Sequence, residues 1–244
     1  MPWLHWPSRG RSTCHSVSHY SAVAVLGLPL LAGDLDVTHL SRRSLGDQRR
    51  GQGLQIHRPL GKGAVRTVAG VAVVHPAIAV VQAAALAGVK AGVAAADAAL
   101  AAGRITTEDL EVALCISRIG PGRADARTAV GLADALSESP GESWARVLFM
   151  SLGLPRPELQ VEIRDERGRL VGRVDFLFRA QRTIVEFDGL VKYAGADGRQ
   201  ALVDEKRRED SLRALGYQMV RLTWRDLYDP PRLAHAMRSA FAAA

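Results

Sequence analysis

Two hydrophobic periods divide the chain. Between Pro76 and Leu136 apolar residues recur at helical spacing in four segments, "PAIAVVQAAALAG", "AGVAAADAALAAG", "TTEDLEVALCIS" and "GRADARTAVGLADAL", separated by glycine or proline. They predict four short helices packed through alanine and leucine. Thr106, ahead of Thr107-Glu108-Asp109, supplies an N-cap and an acidic first turn to the third helix. Asp97 and Asp134 read as solvated helix-face residues. Upstream, short alternating pieces at 35–39, 54–58 and 70–75 predict a small, loop-rich β unit. Residues 1–20 lack periodicity and are expected to form a poorly ordered arm.

Past the junction "SESPGE" (137–142), "SWARVLFMSLGLP" reads as an amphipathic helix that buries Trp144, Val147, Leu148 and Leu152. The pattern then shortens to strand period at about 159–165, 170–178 and 182–188, followed by a helix at 200–215, a strand at 217–223 and a helix from about 229 to 242. The fold class expected is α/β: a small β and alanine-rich helical domain over 21–136, and a compact α-β-β-β-α-β-α domain over 137–244.

Alternation along "RVDFLF" sets Val174, Phe176 and Phe178 on one face and Arg173, Asp175 and Leu177 on the other. In "TIVEFD" it groups Ile184, Glu186 and Asp188 against Val185 and Phe187. A hairpin of the two strands can therefore bring Asp175, Glu186 and Asp188 to one face, subject to register. Converging carboxylates need a compensating cation. Hard oxygen donors suit Mg2+ or Mn2+. On the next helix Asp204, Arg208 and Leu212 follow one stripe, so Arg208 points with Leu212 towards the sheet and Lys206 to solvent. Lys192, in the loop after the second strand, is the rival cation. The alternative is that Arg208 pairs only with Asp204 or Glu205 and the hairpin acids face solvent.

Composition adds a polyanionic partner. The 244 residues carry a formal charge of +7, and clustered Arg and Lys bind phosphate chains by displacing counterions. Cys14 and Cys115 are too few for a disulfide framework or a zinc site, which points to a reducing, cytoplasmic setting. The apolar run 68–89 has the length of a membrane span but contains His75, Pro76 and Gln82, and reads instead as a strand ending where a helix begins.

The motif "GRVDFLF-x4-TIVEFDG-x2-KY" followed by "DEKRREDSLRALGYQMVRLTWRDL" resembles the very-short-patch-repair-like endonuclease domain of the PD-(D/E)XK nuclease superfamily over roughly 137–244. The resemblance implies a restriction-endonuclease-like core, Asp175 and Glu186 as metal ligands with Glu142 joining from the preceding helix, and DNA as substrate. The superfamily has lysine two residues after the glutamate, where this chain has Asp188. Arg208, Lys192 or Lys206 would then take the electrophilic role. Arg173, Lys192, Arg207 and Arg225 would contact the DNA backbone. The N-terminal segments "HYSAVAVLGLPL", "LDVTH" and "AADAALAAGRITTEDLEVAL" are similar to AbiEi-like type IV antitoxins, whose usual winged helix is not found before Ser21. Two readings lead, ahead of a third, a protein-interaction module built on the alanine-rich helices. One is a Mg2+-dependent DNA endonuclease in a defence or toxin-antitoxin context; the other is a catalytically inactive, antitoxin-like DNA-binding regulator, with a cognate toxin or a second copy as partner.

Overall fold

The computed structural model describes residues 15–43, 48–60, 64–117, 119–189 and 198–243. The chain divides into two compact units, Met1–Ser143 and Trp144–Ala244. Both are mixed α/β.

In chain order the first unit holds β1 (His15–Val17), α1 (His19–Val25), β2 (Thr38–Arg42), β3 (Arg49–Gly51), β4 (Leu54–His57), β5 (Val65–Val68), β6 (Val71–Val74), α2 (Pro76–Ala87), α3 (Val89–Ala101), α4 (Thr107–Ile116) and α5 (Arg123–Leu132). The six strands form one sheet in the order β3-β4-β2-β1-β6-β5. β1 lies inside that sheet, antiparallel to β2 and parallel to β6. Residues 15–20, expected in the arm, are therefore structured: non-local pairing orders three residues too short to show a period.

α2 is buried around most of its circumference from Pro76 to Ala84. This accounts for the uncharged run 68–89, because a helix apolar on all sides belongs inside a protein core. Among the described residues no helix is long and apolar enough to cross a membrane. His75 caps α2, its Nδ1 accepting from Ala77 N at 3.3 Å, with Pro76 in the first turn. Close helix packing depends on Gly92, where an added Cβ would lie 2.3 Å from Ala84 Cβ and 2.8 Å from Ala129 Cβ. Thr106 and Asp109 complete a reciprocal capping box on α4. Asp97 departs from the solvated reading: it is 1% exposed and accepts from Asp134 N at 2.8 Å and Ser143 Oγ at 2.7 Å. It thereby ties α3 to the segment after α5.

α6 (Pro140–Ser151) leads into the second unit, which continues with β7 (Glu158–Arg164), β8 (Leu170–Phe178), β9 (Thr183–Phe187), α7 (Gly198–Ala214), β10 (Gln218–Leu222), α8 (Trp224–Leu227) and α9 (Pro230–Ala242). Its sheet runs β10-β9-β8-β7. β7, β8 and β9 are antiparallel neighbours, and β10 returns parallel to β9 after α7. On one face Leu212 of α7 joins Ile163, Val174, Leu177 and Ile184 in a buried cluster. On the other, the Phe149 ring of α6 meets Phe176 and Phe178 edge-on, at centroid distances of 5.4 and 5.3 Å.

This corrects the expected alternation. Val174 was placed with Phe176 and Phe178, yet it packs with Leu177 beneath α7. The ladder keeps its register from the Leu159 and Phe176 pair to the Val161 and Val174 pair, but Gln160 between them has φ 50, and across that step Val161 and Val174 lie on the α7 face with Leu177. Leu212→Ala is expected to lower stability by about 2–5 kcal/mol, read as a shifted urea midpoint with an unchanged slope.

Three buried histidines, His19, His39 and His57, stack in the first unit, with ring centroids 3.5 Å apart for His19 and His57. Burial, and then the neighbouring His39, pushes His57 down to about 4. Burial, and then Arg66, pushes His75 down to about 4. The folded chain keeps these rings neutral, whereas the unfolded chain protonates them near their usual value of about 6.5. Below that pH the unfolded state binds more protons, so stability present above it is lost as pH falls towards about 4. Thermal melts between pH 7.5 and 4.5 are expected to show this loss, and His57→Gln is expected to flatten it.

Candidate functional site

β8 and β9 pair Phe178 with Thr183, Leu177 with Ile184 and Phe176 with Val185. One further step in that register sets Asp175 opposite Glu186. At this step the backbone ladder gives way to a side chain: Asp175 Oδ2 accepts from Phe187 N at 2.8 Å. Its Oδ1 receives a long 3.5 Å contact from Gln160 Nε2. Asp175 thus pins the end of β9, and the strained Gln160 backbone sits beside it. No sequence signal marks Gln160.

Glu186, on the α7 side of β9, is gripped by Arg208. The guanidinium donates to both carboxylate oxygens, Nη1 to Oε1 at 2.8 Å and Nη2 to Oε2 at 3.0 Å. Such a fork is the strongest protein ion-pair geometry. The Glu186 side chain is 14% exposed and that of Arg208 24%. Arg208 also donates to Glu205, from Nε at 2.9 Å and Nη2 at 2.7 Å. Arg221, on β10 opposite Glu186, reaches Glu205 at 2.5 Å and Glu209 at 3.0 Å, and Arg213 reaches Glu209 at 2.7 Å. Glu186, Arg208, Glu205, Arg221, Glu209 and Arg213 form a chain of alternating charge along α7. Hydrogen bonds that Arg208 donates to Glu205, outweighing burial, and further ones to Glu186 hold its guanidinium more firmly protonated than usual. Arg208 correspondingly keeps the Glu205 carboxyl below the usual carboxylate range. Gly172 leaves room for the arginine stem, since a Cβ there would lie 3.1 Å from Arg208 Cδ.

Arg208 thus faces the hairpin acid and also pairs with Glu205, so both sequence alternatives describe part of its contacts. Asp188 is exposed just past β9, where its backbone N donates to Leu222 O at 2.7 Å. Lys206 is exposed. Arg173 and Arg225 are exposed, as is Arg207, 3.6 Å from Asp204. Lys192 lies outside the described residues. Glu142 belongs to the first unit and caps its own helix: Oε2 accepts from Glu138 N at 2.9 Å, Oε1 from Ser139 Oγ at 2.7 Å, and Glu142 N donates to Ser139 Oγ at 3.2 Å. The spacing Ser139-x-x-Glu142 is a capping-box signature that the reading as a metal ligand passed over.

Among the described residues no group of three or more His, Cys, Asp or Glu side chains could hold a metal ion. Mg2+ is commonly held by one or two carboxylates with waters and substrate phosphates completing its shell. The hard oxygens of Asp175 and Glu186 are of that kind, and each Glu186 oxygen has lone-pair capacity beyond its bond to Arg208. Asp175 and Glu186 are the two carboxylates that could hold such an ion.

Comparison with known proteins gives sequence relatives only. No family model and no solved structure matches the chain. It is similar to "Uncharacterized protein MT2308" and "Uncharacterized protein Rv2248", from two strains of Mycobacterium tuberculosis, with 32% identity over 183 residues in each case. The match covers 75% of this chain and 66% of each relative, so the chain spans just under two thirds of the curated relatives it matches.

The Arg208 fork gives a direct test. Arg208→Met leaves Glu186 and Glu205 without their shared cation and is expected to cost about 1–3 kcal/mol. In a double-mutant cycle with Glu186→Gln, the combined loss is expected to fall short of the sum. Arg208→Lys should not restore stability, because a lysine ammonium cannot make the fork.

Proposed function

We propose that Trp144–Ala244 is a restriction-endonuclease-like core of the very-short-patch-repair-like kind, acting as a metal-dependent DNA endonuclease. The observation that carries this reading is the Glu186–Arg208 pair next to Asp175 at the end of the β8–β9 hairpin. Support comes also from the sheet: an antiparallel meander β7-β8-β9, then a crossover through α7 to a parallel β10. Asp175 and Glu186 would hold Mg2+ or Mn2+, which supplies a bound water acidic enough to serve as a nucleophile near neutral pH. Arg208 would bind a non-bridging phosphate oxygen and offset charge developing on the phosphoryl group. Exposed Arg173, Arg207 and Arg225 supply backbone-directed positive charge. Asp175 keeps the end of β9 in place through Phe187 N.

A second reading rests on the same fork. Both Glu186 oxygens already neutralise an arginine, and Asp188 stands where the superfamily has lysine. This favours a DNA-binding, antitoxin-like regulator that keeps the fold without its chemistry, with a cognate toxin as partner.

A nicking assay on supercoiled plasmid separates the two. The endonuclease is expected to nick with Mg2+ or Mn2+, to stop in EDTA, and to lose about 100-fold or more in rate in Glu186→Ala. A purified chain that nicks under no metal condition, yet binds duplex DNA equally with and without EDTA, replaces the enzyme with the regulator.

A further inference from the structure

We propose that the first unit carries a binding pocket for a nucleobase with its attached phosphate, built on the His19–His57 stack and edged by glutamine amides. This goes beyond the nuclease reading and uses none of its residues.

A cavity of about 430 Å3 opens beside α1, β4 and α2, within the size range of small-molecule sites. Its polar lining is His19, Gln48, Gln55, His57, Arg58 and Gln82, and Leu86 and Pro121 supply apolar wall. Three of these side chains are more than nine-tenths buried: Gln82 at 3% exposure, His19 and His57 at 8% each. Each spends one polar atom on the protein. His57 Nε2 meets His39 Nδ1 at 2.9 Å, His19 Nδ1 meets Ser18 Oγ at 3.0 Å, and Gln82 Oε1 accepts from His19 N at 3.0 Å. Their remaining atoms, His57 Nδ1, His19 Nε2 and Gln82 Nε2, make no hydrogen bond to a described residue and are left to a ligand in the cavity.

A second observation is independent of that count. His19 has φ 52, in the left-handed region that histidine enters more readily than most residues, and the Gln82 amide holds it there through the His19 N–H, aiming the ring at the cavity wall.

The lining chemistry selects the ligand class. Burial keeps both imidazoles neutral, so each offers a donor and an acceptor without fixed charge. Three carboxamides add paired donors and acceptors, the grouping that reads a nucleobase edge. The stacked rings give a flat aromatic surface. Among the described lining residues there is no carboxylate, and Arg58, exposed at the rim, is their cation. A planar heteroaromatic ring with an edge to bond and one phosphate meets all of these. The source is either a free mononucleotide or a base turned out of a single strand.

Calorimetric titration of the full chain at pH 7.5 tests this, with AMP, CMP, GMP and UMP, adenosine, inorganic phosphate and a short single-stranded oligonucleotide as probes. At least one mononucleotide is expected to bind with a dissociation constant below about 1 mM. Arg58→Ala should weaken nucleotide tenfold but leave adenosine unchanged. Gln82→Met should weaken both, with Gln48→Ala at the rim as the control should Gln82→Met fail to fold. An oligonucleotide that binds more tightly than any mononucleotide, through the same residues, identifies a nucleic-acid strand as the source; mononucleotides alone identify a free metabolite. The proposal is overturned if no nucleotide binds at millimolar concentration, if binding ignores Arg58→Ala and both glutamine variants, or if inorganic phosphate binds as tightly as nucleotides. Plasmid nicking is scored separately, so either reading can fail without the other.

Discussion

The candidate chemistry of the second unit depends on the burial of Leu212. With that side chain at 0% exposure against Leu177 and Ile184, α7 has one permitted rotation over the sheet. Arg208, one turn earlier on the same stripe, then has one place to go: over Gly172, to the carboxylate of Glu186. A hydrophobic contact without directional preference thereby fixes the direction of a charged fork. The fork in turn organises Glu205, Arg221 and Glu209 behind it, so the polar edge of the helix is ordered by its apolar face.

The energetic character of that edge is distinctive. Isolated exposed ion pairs contribute little. Here three acids and three bases alternate, and the pair nearest the sheet is three-quarters or more buried. Each residue already ordered by one partner loses less freedom in meeting the next. The network is neutral as a set, which lets a cluster of carboxylates exist beside a sheet without an external cation.

Much of this was legible in the sequence because it is local. Helix stripes and strand periods placed the four strands, α7 and α9 of the second unit within about two residues, missing the short α8 and the start of α6, and the 3.6 period aimed Arg208 and Leu212 together. What escaped was non-local or singular. Val174 lies on the α7 face with Leu177, next to the positive-φ backbone of Gln160, an irregularity that no residue type announces. The β1 strand is three residues long and exists through its partners β2 and β6. Asp97 lies inside because Asp134 N and Ser143 Oγ, 37 and 46 residues away, meet it there. Glu142 is the instructive case, since its local signal was present: Ser139 three residues earlier marks a helix cap, and the carboxylate serves that cap.

The carboxylate of Asp175 does the work of a backbone carbonyl, accepting the amide that would otherwise end β9 unpaired. The position should therefore tolerate a change of charge more readily than a change of reach. Asparagine keeps an oxygen at the same distance from the main chain, whereas glutamate carries it one methylene too far. In a lineage that abandoned chemistry at this hairpin, the residue would drift to asparagine long before it drifted to glutamate.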